Sequence, residues 1–293
     1  MKNHIVKNLL LGIFLLVLKV SFSQPGSQVQ LVTEPRDRAY DRVHINDLKP
    51  IPYSYLRESD VFWEKRVLTS IDFREKMNQF FYFPQTPQGK WRSFMQVVWD
   101  AMLNGDITAY DATGSSDNFE EMLPVPVSQL QTNLTTQQTI RQEDPNNPGT
   151  FITQTVDIEF DPQDVKFLWI KEDWIFDKQR SEMQVRIIGV CPVKEDIDPT
   201  TNLFRGYKPL FWLYFPEIRP LLAQNEVFNS GNSARRLSYD QMFMQRRFSS
   251  YIIKEDNVFD RRIDSYTSGI DALLESERIK NEIRDFEQEL WAY

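Results

Sequence analysis

The chain opens on an apolar run, Leu9 to Leu18, with Lys2 and Lys7 before it and Lys19, then Ser21-Phe22-Ser23, after it. A basic start, a short apolar stretch and small residues just ahead of Gln24 predict a secretory signal peptide over residues 1–23. Lys19 leaves the run short of the roughly 20 nearly uncharged residues that a spanning helix requires. Gln24 stands where a lipidated cysteine would be needed for a lipoprotein anchor. From Gln24 to about Pro52 the residues are polar and mixed in charge, with Pro25, Pro35, Pro50 and Pro52 and no sustained period. That pattern predicts an extended N-terminal arm over 24–52, which serves either to order against a neighbouring subunit or as a plain spacer after the signal.

Beyond the arm, Val61, Val67, Leu68, Ile71 and Phe73 are spaced to predict a helix running to Met77, capped by Ser59 or Asp60 and ended before Pro84. Phe94, Val97, Val98, Ala101 and Met102 share one face of a second predicted helix, Trp91 to Leu103, with Gly105 just past its end. A Gln/Thr/Asn-rich stretch then predicts an exposed polar loop near 132–149.

The period changes at Phe151. Alternation through Phe160, and the β-branched and aromatic runs Val165–Phe176, Met183–Val190 and Leu210–Phe215, predict four strands. Their short polar connections, Asp177 to Glu182 above all, favour antiparallel pairing. Helices are expected again over Glu217–Asn225, Tyr239–Phe248 and from about Asp264 to the end. In the last of these, Tyr266, Ile270, Leu273, Leu274, Ile279, Ile283, Phe286 and Leu290 are read as one apolar face. Helices and strands in separate blocks describe an α+β fold. It is expected as a single domain over 53–293, a mainly antiparallel sheet from the middle of the chain with N-terminal and C-terminal helices packed on it.

Charge and composition narrow the function. The formal charge of the 293 residues is −8, and removal of the three lysines in residues 1–23 takes it to −11. A chain this acidic lacks the clustered bases that displace counterions from nucleic acid. Cys191 is the only cysteine, so no internal disulfide forms, and its place in an apolar run marks a buried thiol. With 21 Phe, 11 Tyr and 7 Trp, the core is expected to be heavily aromatic.

Candidate chemistry is sparse. Once residues 1–23 are removed, His44 is the only histidine, which leaves no base for a hydrolytic triad and too few ligands for a zinc site. Neither a Gly-x-Ser-x-Gly elbow nor a glycine-rich phosphate loop occurs. Asp157, Glu159 and Asp161 alternate, with Asp164 following; paired acids of this kind serve glycoside cleavage or calcium binding, and alternating acids are equally what a solvated strand face shows. Trp169, Trp174, Phe176 and the Leu210–Phe215 run suit core packing first and a glycan or partner surface second, as do Trp91 and Trp99. Arginine pairs at 235–236, 246–247 and 261–262 hint at a charge-complementary subunit contact. No catalytic, cofactor-binding or metal residue is assigned.

Longer strings carry more. Arg57 to Val67 running into Ile71–Gln79, Ile170 to Ser181, Val185 to Pro192, Phe211 to Arg219, Arg246 to Ile252, and Leu274-Glu275-Ser276-Glu277 through Trp291 together resemble the GldN/PorN family of the type IX secretion and gliding motility machinery of Bacteroidetes. Departures are local: Phe80-Phe81 where a proline is expected nearby, and Phe62 where a smaller residue is usual. The resemblance implies a non-enzymatic periplasmic structural subunit, associated with the outer membrane through partners and without a cofactor. The implied partners are an outer-membrane lipoprotein (GldK/PorK), with which it builds a ring, and the periplasmic part of GldM/PorM. A carbohydrate-processing enzyme or glycan-binding module is the alternative.

Overall fold

The computed structural model describes residues 45, 47–114, 118–143, 151–198, 201, 203–229 and 236–291. The predicted signal peptide, the arm as far as His44, and residues 144–149 of the predicted polar loop lie outside the described residues.

The molecule is organised around β6 (Phe167–Asp177), an 11-residue strand. On one side it pairs with β1 (Val61–Asp72), on the other with the 16-residue β7 (Glu182–Ile197), both antiparallel. β10 (Tyr251–Glu255) closes the outer edge of β1. Beyond β7 the sheet continues through β9 (Trp212–Tyr214), β2 (Ala109–Tyr110) and β3 (Pro124–Val125), while β8 (Phe204–Pro209) pairs with the far end of β7. Every pairing in this eight-stranded sheet is antiparallel, and the fold is α+β. The short connection predicted over Asp177–Glu182 is the hairpin observed, with four residues, 178–181, between the strands.

The segment expected to be the first helix is β1 instead. Residues 61–66 alternate between partly buried and exposed, and 67–71 are buried throughout. Apolar residues at 61, 67, 68 and 71 satisfy both a helical and an extended reading. Val61, Phe62, Trp63, Val67, Thr69 and Ile71 are β-branched or aromatic types that suit a pleated surface. Pairing with β6 then runs the length of the strand, and β10 satisfies its other edge over Val67–Ser70.

The predicted polar loop is corrected over residues 136–143. β4 (Thr136–Glu143) and β5 (Phe151–Ile158) form a two-stranded antiparallel ribbon separate from the main sheet, in register from Thr136↔Ile158 to Glu143↔Phe151. Its glutamines and threonines read as loop by polarity, yet threonine favours strands, and a backbone ladder needs no apolar side chain.

Helices cover the sheet. α1 (Gln79–Tyr82), α2 (Phe94–Asn104), α3 (Val127–Leu134), α4 (Phe215–Gln224) and α5 (Tyr239–Met244) surround the principal core, and α6 (Ile270–Trp291) lies near the β10 end. α2 begins as its sequence requires: the Ser93 hydroxyl accepts the Gln96 N–H and the Gln96 side chain accepts the Ser93 N–H, with Gly105 left-handed at the other end. Alternation along β6 divides the interior. Leu168 and Ile170 join Phe81, Phe94, Phe211, Phe215, Tyr239 and Phe243 in the main cluster, while Phe167 and Trp169 join Leu68, Cys191, Val193 and Trp212 in a second. Phe81 is the hub of the first, within 6.5 Å of Phe73, Phe94, Tyr239, Phe243 and Phe248 centroid to centroid.

Candidate interaction surface

The carboxylates singled out in sequence do not converge. β5 ends at Ile158, so Glu159 and Asp161 leave the alternation that was to align them with Asp157. Asp161 accepts the Gln163 N–H at 2.9 Å and caps a 3-10 turn over Pro162–Asp164, and Asp164 pairs with Lys194. Among the described residues no three His, Cys, Asp or Glu side chains are placed to hold a metal ion. Burial pushes the Cys191 thiol far above its ordinary value, so it stays protonated, and packing is its role. His44 lies outside the described residues.

The aromatic candidates face inward for the most part. Trp169, Phe211, Trp212 and Leu213 are buried, Trp99 packs on Phe160 at 4.7 Å, and Trp91 meets Phe228 edge to face at 5.2 Å. The arginine pairs do not make one basic surface. Arg235 lies outside the described residues, whereas Arg236 binds Glu226, Arg246 binds Glu172, and Arg262 covers the Trp169 ring at 4.4 Å while pairing with Asp264.

Charge is instead concentrated inside the sheet, at Lys171-Glu172-Asp173 in the middle of β6, all three buried. Glu172 is 0 % exposed and takes two hydrogen bonds from Arg246, at 2.8 and 3.2 Å, with the guanidinium 5.4 Å from the Trp174 ring. Asp173 receives a bidentate pair from its cross-strand neighbour Arg66, at 2.6 and 2.8 Å. Near the start of the body, Tyr53 lies between the Arg186 and Arg219 guanidinium groups, at 5.6 and 4.9 Å, and its hydroxyl accepts the Ile187 N–H. Burial is the main reason the Tyr53 phenol is raised. Arg219 is itself buried against Asp240 at 2.8 Å. These groups brace the fold, since each is matched by a partner in the chain.

Unmatched chemistry is found on α6. Ser276, Ile279 and Ile283 face the protein, with Ala272 and Phe286 at the margins. At about 100° per residue, Ile270, Leu273 and Leu274 fall on the opposite side of the helix, and they are 75, 55 and 63 % exposed. The single apolar face expected from sequence is therefore two faces. Beside the outward one runs a groove between α6 and β1, lined by Leu274, Trp63 and Phe286 and by Glu277, Glu282 and Glu289. Trp63 and Phe286 are stacked with centroids 4.7 Å apart. The bases at this groove are neutralised: Lys65 pairs with Glu255 and Glu282, and Arg278 with Glu275 and Glu282. Arg278 in turn holds the Glu275 carboxyl below its ordinary value. Glu277 and Glu289 pair with no base among the described residues. Counting charges would have shown the excess of acid in this helix; that its apolar positions point two ways depends on where the helix packs.

No helix among the described residues is long and apolar enough to cross a membrane. Residues 56–292 match the family model described as gliding motility associated protein GldN. No curated protein matches the chain.

Proposed function

The chain belongs to the GldN family of gliding-motility-associated proteins, and from that premise we propose that it acts as a non-enzymatic structural subunit of the type IX secretion and gliding motility machinery. In this reading residues 1–23 are cleaved on export, and the protein works in the periplasm, held at the outer membrane through partners. It builds a homo-oligomeric ring with a GldK/PorK-type lipoprotein and engages the periplasmic part of a GldM/PorM-type protein. The observation that carries the proposal is the outward apolar stripe Ile270, Leu273 and Leu274 on a helix whose other face is already packed. Large exposed aliphatics grouped on a rigid element mark a protein contact. Arg219 with Asp240, Arg246 with Glu172, and Asp161 are tied into the fold.

Co-expression with the lipoprotein partner and measurement of the mass of the purified complex test this. A species many times the mass of a one-to-one pair is expected. A soluble one-to-one pair under all conditions rules the ring out.

A further inference from the structure

The groove beside α6 has a chemistry that selects its occupant. Its floor is apolar, made by the stacked Trp63 and Phe286 with Leu274, and its walls carry carboxylates. Across Ile270–Trp291 there are seven acidic residues against Arg278, Lys280 and Arg284. Two of the carboxylates lining the groove, Glu277 and Glu289, lack an ion pair among the described residues, while the nearby Lys65 and Arg278 are neutralised from within the chain. From Leu274 to Glu289 the groove follows α6 for about 22 Å, at about 1.5 Å per residue, the length of four helical turns.

We propose that this groove receives a basic amphipathic helix from a different protein, its apolar side chains resting on Trp63, Phe286 and Leu274 and its Lys or Arg side chains reaching Glu277 and Glu289. The inference rests on the assembly reading above and names the chemistry of the partner. Helix-in-groove recognition uses apolar anchors at helical spacing, and opposite charges around the rim steer and align the incoming segment. A second copy of this chain is disfavoured as the occupant by its acidic charge of −8. An anionic lipid surface is disfavoured by the same sign argument.

The test places a photo-crosslinking residue at Asn281, which lines the groove, in the full-length chain inside the cells that make it, with the same residue at exposed Glu120 as control. The crosslinked peptide is then sequenced. The expected result is a segment of another protein with Lys or Arg interleaved with apolar residues at helical spacing, captured from position 281 and not from 120. Its yield should fall roughly tenfold in the doubly charge-reversed Glu277→Lys, Glu289→Lys chain, and comparably in Leu274→Ser. Raised salt should weaken it. Capture of a second copy, of lipid or of an acidic or neutral segment overturns the proposal, as does no capture, or capture indifferent to both variants. The mass of the assembled complex is read in parallel. If the large complex persists while the crosslink fails, the docking inference falls alone; if no large complex exists, the assembly reading falls with it.

Discussion

Glu172 makes the fold depend on a single partner. A carboxylate with no solvent exposure, in the middle of a central strand, is tolerated because Arg246 meets it with two hydrogen bonds. Arg246 reaches that position from a backbone with φ of 48°, a conformation that costs a non-glycine residue energy. Arg246→Ala is expected to destabilise the fold by about 3–5 kcal/mol in urea denaturation, because it leaves a buried charge alone. Pairing it with Glu172→Gln should recover part of that loss, since the orphaned charge is removed. Tyr239 carries a pH dependence. It is fully buried, its hydroxyl donates to the Arg92 carbonyl at 3.0 Å, and burial raises its phenol well above the ordinary 10.0. Below pH 10 the phenol is protonated in folded and unfolded chains alike, so it adds no slope. Above pH 10 the unfolded chain ionises first, and the stability this phenol contributes is lost as pH rises toward the folded value. Tyr239→Phe should flatten the alkaline limb of a stability–pH profile while costing about 1 kcal/mol at neutral pH from the lost hydrogen bond.

Among the elements, α6 has two sides with opposite sensitivities. Ile279 is fully buried, and Ile279→Ala should cost about 2–5 kcal/mol. Leu274→Glu, on the outward side, should stay within about 0.5 kcal/mol of the parent by thermal denaturation. Near equality of the two losses would show that Leu274 is part of the core. The same helix marks the limit of what periodicity reveals. Ile270, Leu273 and Leu274 recur at three and four residues among themselves, as do Ile279, Ile283 and Phe286, but the two sets sit roughly half a turn apart and only tertiary packing says which is covered. β1 fails for a related reason: Val61, Val67, Leu68 and Ile71 fit two periods at once, and the strand is decided by β6 and β10, far along the chain. Where local signals were sufficient, as with Ser93 and Gly105 around α2 or Asp177–Glu182 between β6 and β7, sequence and structure agree. The docking groove was not legible, because Trp63 and Phe286 are 223 residues apart and neither is unusual by itself.

At the scale of the whole molecule, the β4–β5 ribbon pairs only within itself among the described residues. Thr136 and Ile158 are cross-strand neighbours at its base, so a short linker can replace residues 136–158 without moving either end. Such a deletion should leave far-UV circular dichroism of the remaining sheet and a cooperative melt, with the midpoint lowered by no more than a few degrees, roughly the effect of 1 kcal/mol. β1 behaves differently. It is wedged between β6 and β10, with Thr69 opposite Ile170 on one side and Ile252 on the other. A ribosome releases residue 69 long before residue 252, roughly 180 positions later, so one flank of an apolar strand has no native neighbour over that whole interval. Such a nascent chain cannot complete its sheet piecemeal from the front. It acquires its native edge only after Glu255 has emerged, and a message cut short before Tyr251 would leave that flank open to aggregation.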